Sequence, residues 1–190
     1  RAKAVYEQYV RDYKKRFKWI RPTLFKAKLA EDLAHDTQRL TELLNSQEPW
    51  DADRDHKWQA LHKLLTQTHG KDKVLIFTQF ADTARYLARE ARKAGISHVA
   101  LATGASADPY DIACRFSPNS NNKSVSKADE VRVLICTDVL SEGQNLQDSN
   151  VVVNFDLPWA IIRLIQRAGR VDRIGQRAEE IHCYSFLPAD

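Results

Sequence analysis

The fold is decided by the stretch Val131-Arg132-Val133-Leu134-Ile135-Cys136-Thr137-Asp138. Its first six residues are mostly apolar, which is typical of a strand buried on both faces of a sheet, and two polar residues follow at once. Similar runs lie on either side, so we predict strands at roughly 73–78, 98–102, 131–136, 150–154 and 180–186. Helices are predicted near 80–94, 108–116 and 159–169. This alternation predicts an α/β fold, a parallel sheet with helices on both faces.

Polar pairs directly follow three of the predicted strands. They are Thr78-Gln79, Thr103-Gly104 and Thr137-Asp138. In a parallel α/β sheet, ligands bind at the carboxyl ends of the strands. The sequence therefore places candidate binding residues at this edge.

A second stretch, Gln166-Arg167-Ala168-Gly169-Arg170-Val171-Asp172-Arg173-Ile174-Gly175-Gln176, is rich in arginine. Its arginines and the one before it recur at steps of four, three and three residues: Arg163, Arg167, Arg170 and Arg173. On a helix this spacing stacks them along one side. Such a row repels itself unless an anion faces it, and the planar arginine fork suits phosphate. Gly175 can close the helix and direct the last arginines outward.

Ordinary roles stay open for some of these residues. The arginine row could be a solvated face, and Arg163 or Arg167 could form a plain salt bridge with Asp156 or Asp172. Trp159, just before the arginine helix, is expected to be a packing anchor, and the alternative is a contact with a binding partner.

The composition is that of a globular protein with one basic end. The chain has 190 residues and a formal net charge of +4. Residues 1–21 contain eight Lys or Arg against Glu7 and Asp12, a local net charge of +6, which leaves −2 for the rest of the chain. Concentrated positive charge is a candidate contact for nucleic-acid phosphate. The alternative is a connecting amphipathic helix whose basic side is only solvated.

The region before the sheet is expected to be helical. Helices are predicted over 1–21 and 23–45, followed by a loop at 46–54 and a helix that Asp55 caps and that runs through His69. We therefore divide the chain into a helical extension or linker, residues 1–54, and an α/β domain, residues 55–190. Within that domain, residues 117–129 have nothing to bury and are expected to form a mobile surface loop.

Several other classes of protein are not favoured. No apolar stretch reaches the length of a membrane span, so we expect no membrane contact. Neither a Cys-x-x-Cys pair nor a histidine cluster has zinc spacing, so we expect no metal site. The three cysteines, Cys114, Cys136 and Cys183, are interpreted as small buried residues of a reducing compartment.

Four segments in the right order resemble the motifs of superfamily-two helicases and translocases. Val74–Phe80 is similar to motif IV, Thr103-Gly104 to the segment after it, Thr137–Gln147 to motif V and Gln166–Gln176 to motif VI. The resemblance is strongest to the Swi/Snf-type group, whose motif VI ends in Arg-Ile-Gly-Gln, and within it to bacterial RapA-like ATPases. It covers roughly residues 55–187. It departs at Ala160-Ile161, where these proteins usually have Asn-Pro.

The resemblance implies roles for individual residues. Arg170 and Arg173 would be the catalytic arginines that reach the γ-phosphate of ATP. The nucleotide side of the site would be contacted by Gly143, Asn145 and Gln166. Contacts to nucleic acid would come from Thr78, Gln79, Thr103, Gly104, Thr137 and Ser141.

The resemblance also implies a second RecA-like lobe that works with a first. The chain has no Gly-x-x-x-x-Gly-Lys-[Ser/Thr] phosphate loop and no Asp-Glu-x-His box, which the family places on the first lobe. Residues 1–54 would then extend this lobe or link the two. ATP and Mg²⁺ are expected to bind stably only to the complete two-lobe protein, and this chain alone is expected to be inactive.

The function implied is the C-terminal motor lobe of an ATP-dependent nucleic-acid translocase acting on double-stranded DNA. Its partners would be the first RecA-like lobe and the nucleic acid, with a larger protein assembly left open, in the cytoplasm and associated with the nucleoid. One alternative is a strand-separating DNA or RNA helicase. Another is a non-catalytic nucleic-acid-binding module, against which the intact Arg170 and Arg173 count.

Overall fold

The computed structural model describes residues 2–12, 21–26, 28–47, 51–140 and 144–187. They form two compact units, residues 1–50 and 51–190. The division falls four residues before the predicted boundary. Asp51 accounts for this, because its side chain accepts a hydrogen bond from the Asp53 amide and caps a 3-10 turn that leads into the second unit.

In its described residues, the first unit contains two α-helices, α1 (Ala2–Asp12) and α2 (Lys28–Ser46). The second helix begins five residues later than predicted because Pro22–Leu24 form a 3-10 turn. No described residue of α2 is buried within the chain. The basic residues Lys14, Lys15, Arg16 and Lys18, which carry most of the proposed phosphate contact, lie outside the described residues.

The second unit is built on a five-stranded parallel sheet, as predicted. Its strands are β1 (Val74–Phe77), β2 (Val99–Ala102), β3 (Val133–Cys136), β4 (Val151–Asn154) and β5 (His182–Ser185). They are arranged in the order β2-β3-β1-β4-β5. The pairing is in register, with Leu75 of β1 between Leu134 of β3 and Val152 of β4. The α/β fold class is therefore confirmed.

The three central strands are buried at every position, which explains their unbroken apolar sequences. Successive side chains point to opposite faces. On one face, Ile76 and Val153 pack with helices α3 (His56–Lys63) and α4 (Ala81–Lys93). On the other, Phe77 and Leu134 pack with α5 (Pro109–Phe116) and with buried loop residues that include Leu146 and Val171.

Helix α3 begins where the sequence predicts. The Asp55 carboxylate accepts the Trp58 amide at 3.1 Å, as expected for an N-cap. Beyond Lys63 the chain continues as a single π-helical turn, Leu64–Thr68. The Arg132 guanidinium donates to the carbonyl oxygens of this end, with the His69 oxygen at 3.1 Å. This contact satisfies acceptors that the helix leaves unpaired.

The expectation that residues 117–129 have nothing to bury is wrong for residues 117–122. Ser117 is fully buried, and the Asp148 carboxylate accepts the amides of Asn119 at 2.8 Å and Ser120 at 2.9 Å. Asn121 donates to the Asn145 carbonyl oxygen at 2.8 Å. The polar residues thus bond to a distant part of the chain.

The cysteine prediction holds for two residues of three. Cys114 and Cys136 are buried, and Cys183 is exposed. Burial raises the pKa of the Cys136 thiol well above its usual range. Cys183 differs because β5 is an edge strand on which exposed and half-buried positions alternate. Among the described residues, no helix is long and apolar enough to cross a membrane.

Glu90 is a buried carboxylate on α4. Arg89 Nε donates to it at 2.7 Å and Lys93 Nζ at 3.2 Å. The hydrogen bond from Arg89 lowers the pKa of Glu90, and Lys93 lowers it further against the opposing effect of burial. The ionised side chain therefore stabilises the fold above its usual pKa near 4.5, and this contribution is lost as the pH falls.

Glu90→Gln should lower the free energy of unfolding at pH 7 by about 1–2 kcal/mol, because charge-assisted bonds to a buried acceptor are weakened. The difference from the wild type should shrink as the pH falls below 4.5. The matched control is Asp82→Asn on the same helix, an exposed partner of Arg85, with an effect below about 0.5 kcal/mol. Urea denaturation at two pH values measures both; equal losses for the two variants would contradict the role of Glu90.

Candidate functional site

The candidate site lies at the carboxyl edge of the sheet, where residues from four strand ends meet. Asp156, two residues after β4, organises the centre of this edge. Its carboxylate accepts a hydrogen bond from the Thr78 hydroxyl and from the Gln79 amide at 2.9 Å. Gln79 Nε2 donates to the Leu157 carbonyl oxygen at 2.9 Å. Thr78 is fully buried with its hydroxyl bound to Asp156, whereas Gln79 is half-buried.

The pair after β2 also contains one enclosed and one open residue. Thr103 is buried; its amide donates to Ser106 Oγ at 2.9 Å, and its hydroxyl accepts the Ala105 amide at 3.3 Å. Gly104 is exposed, and no atom lies within 4 Å of where a Cβ would stand. A ligand can therefore approach the Gly104 backbone closely.

Asp138, after β3, binds two of the four arginines. Arg163 Nη1 and Arg167 Nε each lie 2.8 Å from its carboxylate oxygens. The salt bridge considered for these arginines is thus present, but Asp138 replaces Asp156 or Asp172 as the partner. Both arginines lie on α6 (Ile161–Ala168), one turn apart, so a single carboxylate reaches both.

Arg167 is fully buried and is the only buried residue of α6 among those described. Besides Asp138, its guanidinium donates to Asn154 Oδ1 at 3.1 Å and to the Asp156 carbonyl oxygen at 3.4 Å. It also lies over the Phe77 ring, 5.1 Å from the centroid. Arg167 Nη2 has no partner among the described residues. This buried charge therefore ties α6 to the ends of β1, β3 and β4.

The predicted row of four arginines along one helix is wrong. Helix α6 ends at Ala168, and the amides of Val171 and Asp172 both turn back to the Ala168 carbonyl oxygen. Val171 is fully buried, so the chain turns toward the core at this point. Arg170 and Arg173 therefore follow the helix in a turn-rich segment. Gly175, expected to close the helix, lies seven residues beyond its end with φ of +100°.

Trp159 does not pack as an anchor. Its side chain is completely exposed, at the end of the connection between β4 and α6. Other exposed apolar side chains follow it in the sequence, Ile161, Ile162 and Ile165. Helix α6 thus turns its largest apolar residues outward and its arginine inward.

Residues 169–176, which we call the finger segment, lie against residues 144–149. Arg173 Nη1 donates to Asn145 Oδ1 at 2.6 Å, and the Leu146 amide donates to the Arg170 carbonyl oxygen at 3.1 Å. The structure thus brings together Arg170, Arg173 and Asn145, three of the residues predicted for the nucleotide side. Gln166 is exposed one turn before, and its carbonyl oxygen accepts Arg170 Nε at 3.4 Å.

Other predicted residues fall differently. Thr137 is half-buried directly after β3, and its amide donates to the Ala102 carbonyl oxygen of β2 at 3.0 Å. Gly143 and Ser141 lie outside the described residues, so their predicted contacts stay predictions.

Two glutamines, which the sequence reasoning did not single out as site residues, hold the finger segment in place. Gln176 Nε2 donates to the carbonyl oxygens of Gln147, Ser149 and Val171 at 3.0–3.1 Å. Its Oε1 accepts the amides of Arg177 and Ala178. Gln147 Nε2 in turn donates to the Ile174 carbonyl oxygen at 2.8 Å. The Arg-Ile-Gly-Gln sequence could have indicated the role of Gln176, because the side-chain amide of a glutamine can both donate to and accept from nearby backbone groups.

The donor set of this edge fits a phosphate. The terminal guanidinium nitrogens of Arg170 have no hydrogen-bond partner among the described residues, and Arg173 is exposed apart from its bond to Asn145. Arginine forks of this kind match phosphate oxygens. The described residues contain no group of three or more His, Cys, Asp or Glu that could hold a metal.

We expect Arg167→Ala to lower the free energy of unfolding by about 3–5 kcal/mol, because it removes one partner of a buried ion pair. The matched control is Arg163→Ala, which shares the carboxylate of Asp138 but has a side chain that is 52% exposed, with an expected loss below about 1 kcal/mol. Thermal and urea melts measure both. Similar losses of unfolding free energy in the two variants would show that the burial of Arg167 does not determine its contribution to stability.

Comparison with known proteins identifies relatives of this chain. The model of the helicase conserved C-terminal domain matches residues 56–175. The protein named uncharacterized ATP-dependent helicase YqhH, from Bacillus subtilis (strain 168), is 37% identical over 115 residues, which cover 60% of this chain and 19% of that protein. The RNA polymerase-associated protein RapA of Vibrio vulnificus (strain YJ016) is 36% identical over 135 residues, 70% of this chain and 13% of RapA.

The chain spans less than a fifth of the length of these curated relatives. Among solved structures, the C-terminal part of the Fun30 ATPase domain is similar, with a TM-score of 0.58 and 20% identity over 83% of this chain and 48% of that one. At that identity the likeness shows the RecA-like fold alone. The family match covers well over half of the chain, and the expected likeness to the Swi/Snf-type and RapA-like group is confirmed. The chain belongs to the helicase conserved C-terminal domain family.

Proposed function

We propose that this domain is the C-terminal motor lobe of an ATP-dependent translocase on double-stranded DNA, with Arg170 and Arg173 as its arginine fingers. The observation that carries the proposal is the way these two arginines are held. Both stand on a segment fixed through its backbone by Leu146, Gln147 and Gln176. Arg173 is exposed and Arg170 is half-buried, at the edge where ligands of parallel sheets bind.

ATP bound with Mg²⁺ would supply the phosphoryl group and the negative charge that develops on it during transfer. Arg170 and Arg173 would donate N–H groups to its oxygens and stabilise that charge, the part played by arginine fingers in phosphoryl transfer. Asn145 would orient Arg173, since its Oδ1 accepts Nη1 and leaves the other donors free. Gln166 and Gly143 complete the proposed nucleotide contacts.

The phosphate loop and the Mg²⁺ ligands would come from a first RecA-like lobe of the same protein. An exposed apolar surface supports such a partner, because large patches of this kind mark protein–protein contacts. It includes Trp159, Ile161, Ile162 and Ile165. Ile174, directly after Arg173, is also fully exposed. The relatives are more than five times longer than the matched region, which leaves ample chain for a second lobe.

The nucleic acid would contact the open residues of the same edge. Gln79, Gly104 and Thr137 are accessible, and Ser141 is proposed with them, whereas Thr78 and Thr103 would act by holding the strand ends in place. Contacts of these kinds position a phosphate backbone without reading its sequence. We propose duplex DNA as the track, with a cytoplasmic, nucleoid-associated location and a larger protein assembly as further parts of the proposal.

Arg170→Ala or Arg173→Ala in the complete protein should lower DNA-stimulated kcat by about 10²–10⁴-fold, because finger arginines act mainly on the transition state. ATP binding should change far less. Arg177→Ala is the matched control, an exposed arginine just beyond the finger segment, and should keep wild-type turnover. Steady-state ATPase assays test this; normal turnover in both finger variants would refute the assignment.

The track can be tested with the same complete protein. We expect blunt duplex DNA to stimulate ATP hydrolysis, because translocation on a duplex needs no strand separation. We also expect the moving protein to displace a third strand that is bound to the duplex as a triplex. Unwinding of a forked duplex would favour the helicase alternative. A protein that binds DNA but hydrolyses no ATP would favour the non-catalytic module.

A further inference from the structure

Residues 117–122, which we call the anchored loop, are joined to the loop that carries Asn145. The Asp148 carboxylate accepts three hydrogen bonds from the anchored loop, two from the amides of Asn119 and Ser120 and one from the Ser120 hydroxyl. The Asp148 amide returns a bond to the buried Ser117 hydroxyl at 3.3 Å. Bonds in both directions fix the two loops in one register.

A second link lies closer to the finger arginines. Asn121 Nδ2 donates to the carbonyl oxygens of Ser117 at 2.7 Å and of Asn145 at 2.8 Å. The Asn145 side chain faces back, with Nδ2 3.5 Å from the Ser120 carbonyl oxygen. Both the backbone and the side chain of Asn145 are therefore in contact with the anchored loop.

The side-chain amide of Asn145 is a bridge. Its Nδ2 faces the Ser120 carbonyl oxygen, and its Oδ1 accepts Arg173 Nη1 at 2.6 Å. The orientation of the amide follows from these partners, because a carbonyl oxygen needs a donor and a guanidinium needs an acceptor. A displacement of the anchored loop would therefore move the side-chain amide of Asn145, and with it the guanidinium of Arg173.

We propose that the anchored loop is a positioning element for Arg173, and that Asn121 and Asp148 are positioning residues acting through Asn145. The proposal rests on the function proposed for Arg173. Catalysis by a finger arginine depends on its placement, and a misplacement of about 1 Å can cost about a hundredfold in rate. Among the described residues, the anchored loop makes its hydrogen bonds to Asn145 and not to Arg173, so its effect on that arginine passes through the bridge.

Hydrogen exchange in the 190-residue chain tests the physical link without any catalytic readout. Asn121→Ala removes the donor to the Asn145 carbonyl oxygen, and Asp148→Asn weakens the acceptor for the loop amides. In both variants the Leu146 amide and amides 171–176 should exchange about tenfold faster, since local openings become more frequent. Amides of β1 and β3 should keep their protection, which shows that the fold is intact.

The matched control is Asp129→Ala, further along the same connection. Its carboxylate accepts a local hydrogen bond from Ser126, and no hydrogen bond joins it to residues 144–149 in the described part of the chain. Exchange in the finger segment should match the wild type in this variant. Equal exchange in Asn121→Ala and Asp129→Ala would overturn the proposal, and Asn121→Ala keeps it testable if Asp148→Asn does not fold.

Turnover of the complete protein tests the consequence for catalysis. Asn121→Ala should lower kcat by about tenfold with KM for ATP changed less than about twofold, and Asp129→Ala should be unchanged. In an Arg173→Ala background, Asn121→Ala should have no further effect, because it acts through that arginine. If Arg173→Ala lowers kcat and Asn121→Ala does not, the positioning role is overturned and the finger role of Arg173 stands. Normal turnover in Arg173→Ala would overturn the finger role itself, and any positioning role in catalysis with it.

Discussion

The buried guanidinium of Arg167 is the interaction on which the carboxyl edge of the sheet depends. Removing a charge from water is costly, and the cost is offset only where the charge is paired and hydrogen-bonded. Here the partners are Asp138 after β3, Asn154 at the end of β4 and the Asp156 backbone. Any shift of α6 would leave that charge unpaired. The strand ends and the helix that leads into the finger segment are therefore held in one arrangement.

This anchor also explains the unusual direction of α6. A helix on a domain surface normally packs its apolar face on the core. In α6 the inward residue is Arg167, and the exposed residues are Ile161, Ile162 and Ile165. A polar anchor fixes the helix and leaves the apolar side available for a partner. Core packing then resumes at Val171, so the finger segment is tied to the domain at both of its ends.

The sheet could be predicted from the sequence because its central strands are buried on both faces and read as unbroken apolar runs. The resemblance to known motifs also located Arg170, Arg173 and Asn145, which do meet. Spacing alone could not show that the four arginines do not share one helix. The partner of the buried Arg167 is Asp138, which lies 29 positions earlier in the chain. The same holds for residues 117–122, where polar composition predicted mobility and Asp148, 28 residues beyond Ser120, supplies the anchor.

The four arginines divide according to the charge of their partners. Arg163 and Arg167 share Asp138, so one carboxylate offsets part of their positive charge within the domain. Arg173 is held by the neutral amide of Asn145, and Arg170 by a backbone carbonyl oxygen. Among the described residues no carboxylate forms a salt bridge with either of these two arginines. A neutral acceptor orients a guanidinium without cancelling its charge. An anion arriving at this edge meets two arginines that are already placed and still charged, which is the preorganised electrostatic arrangement that phosphoryl transfer requires.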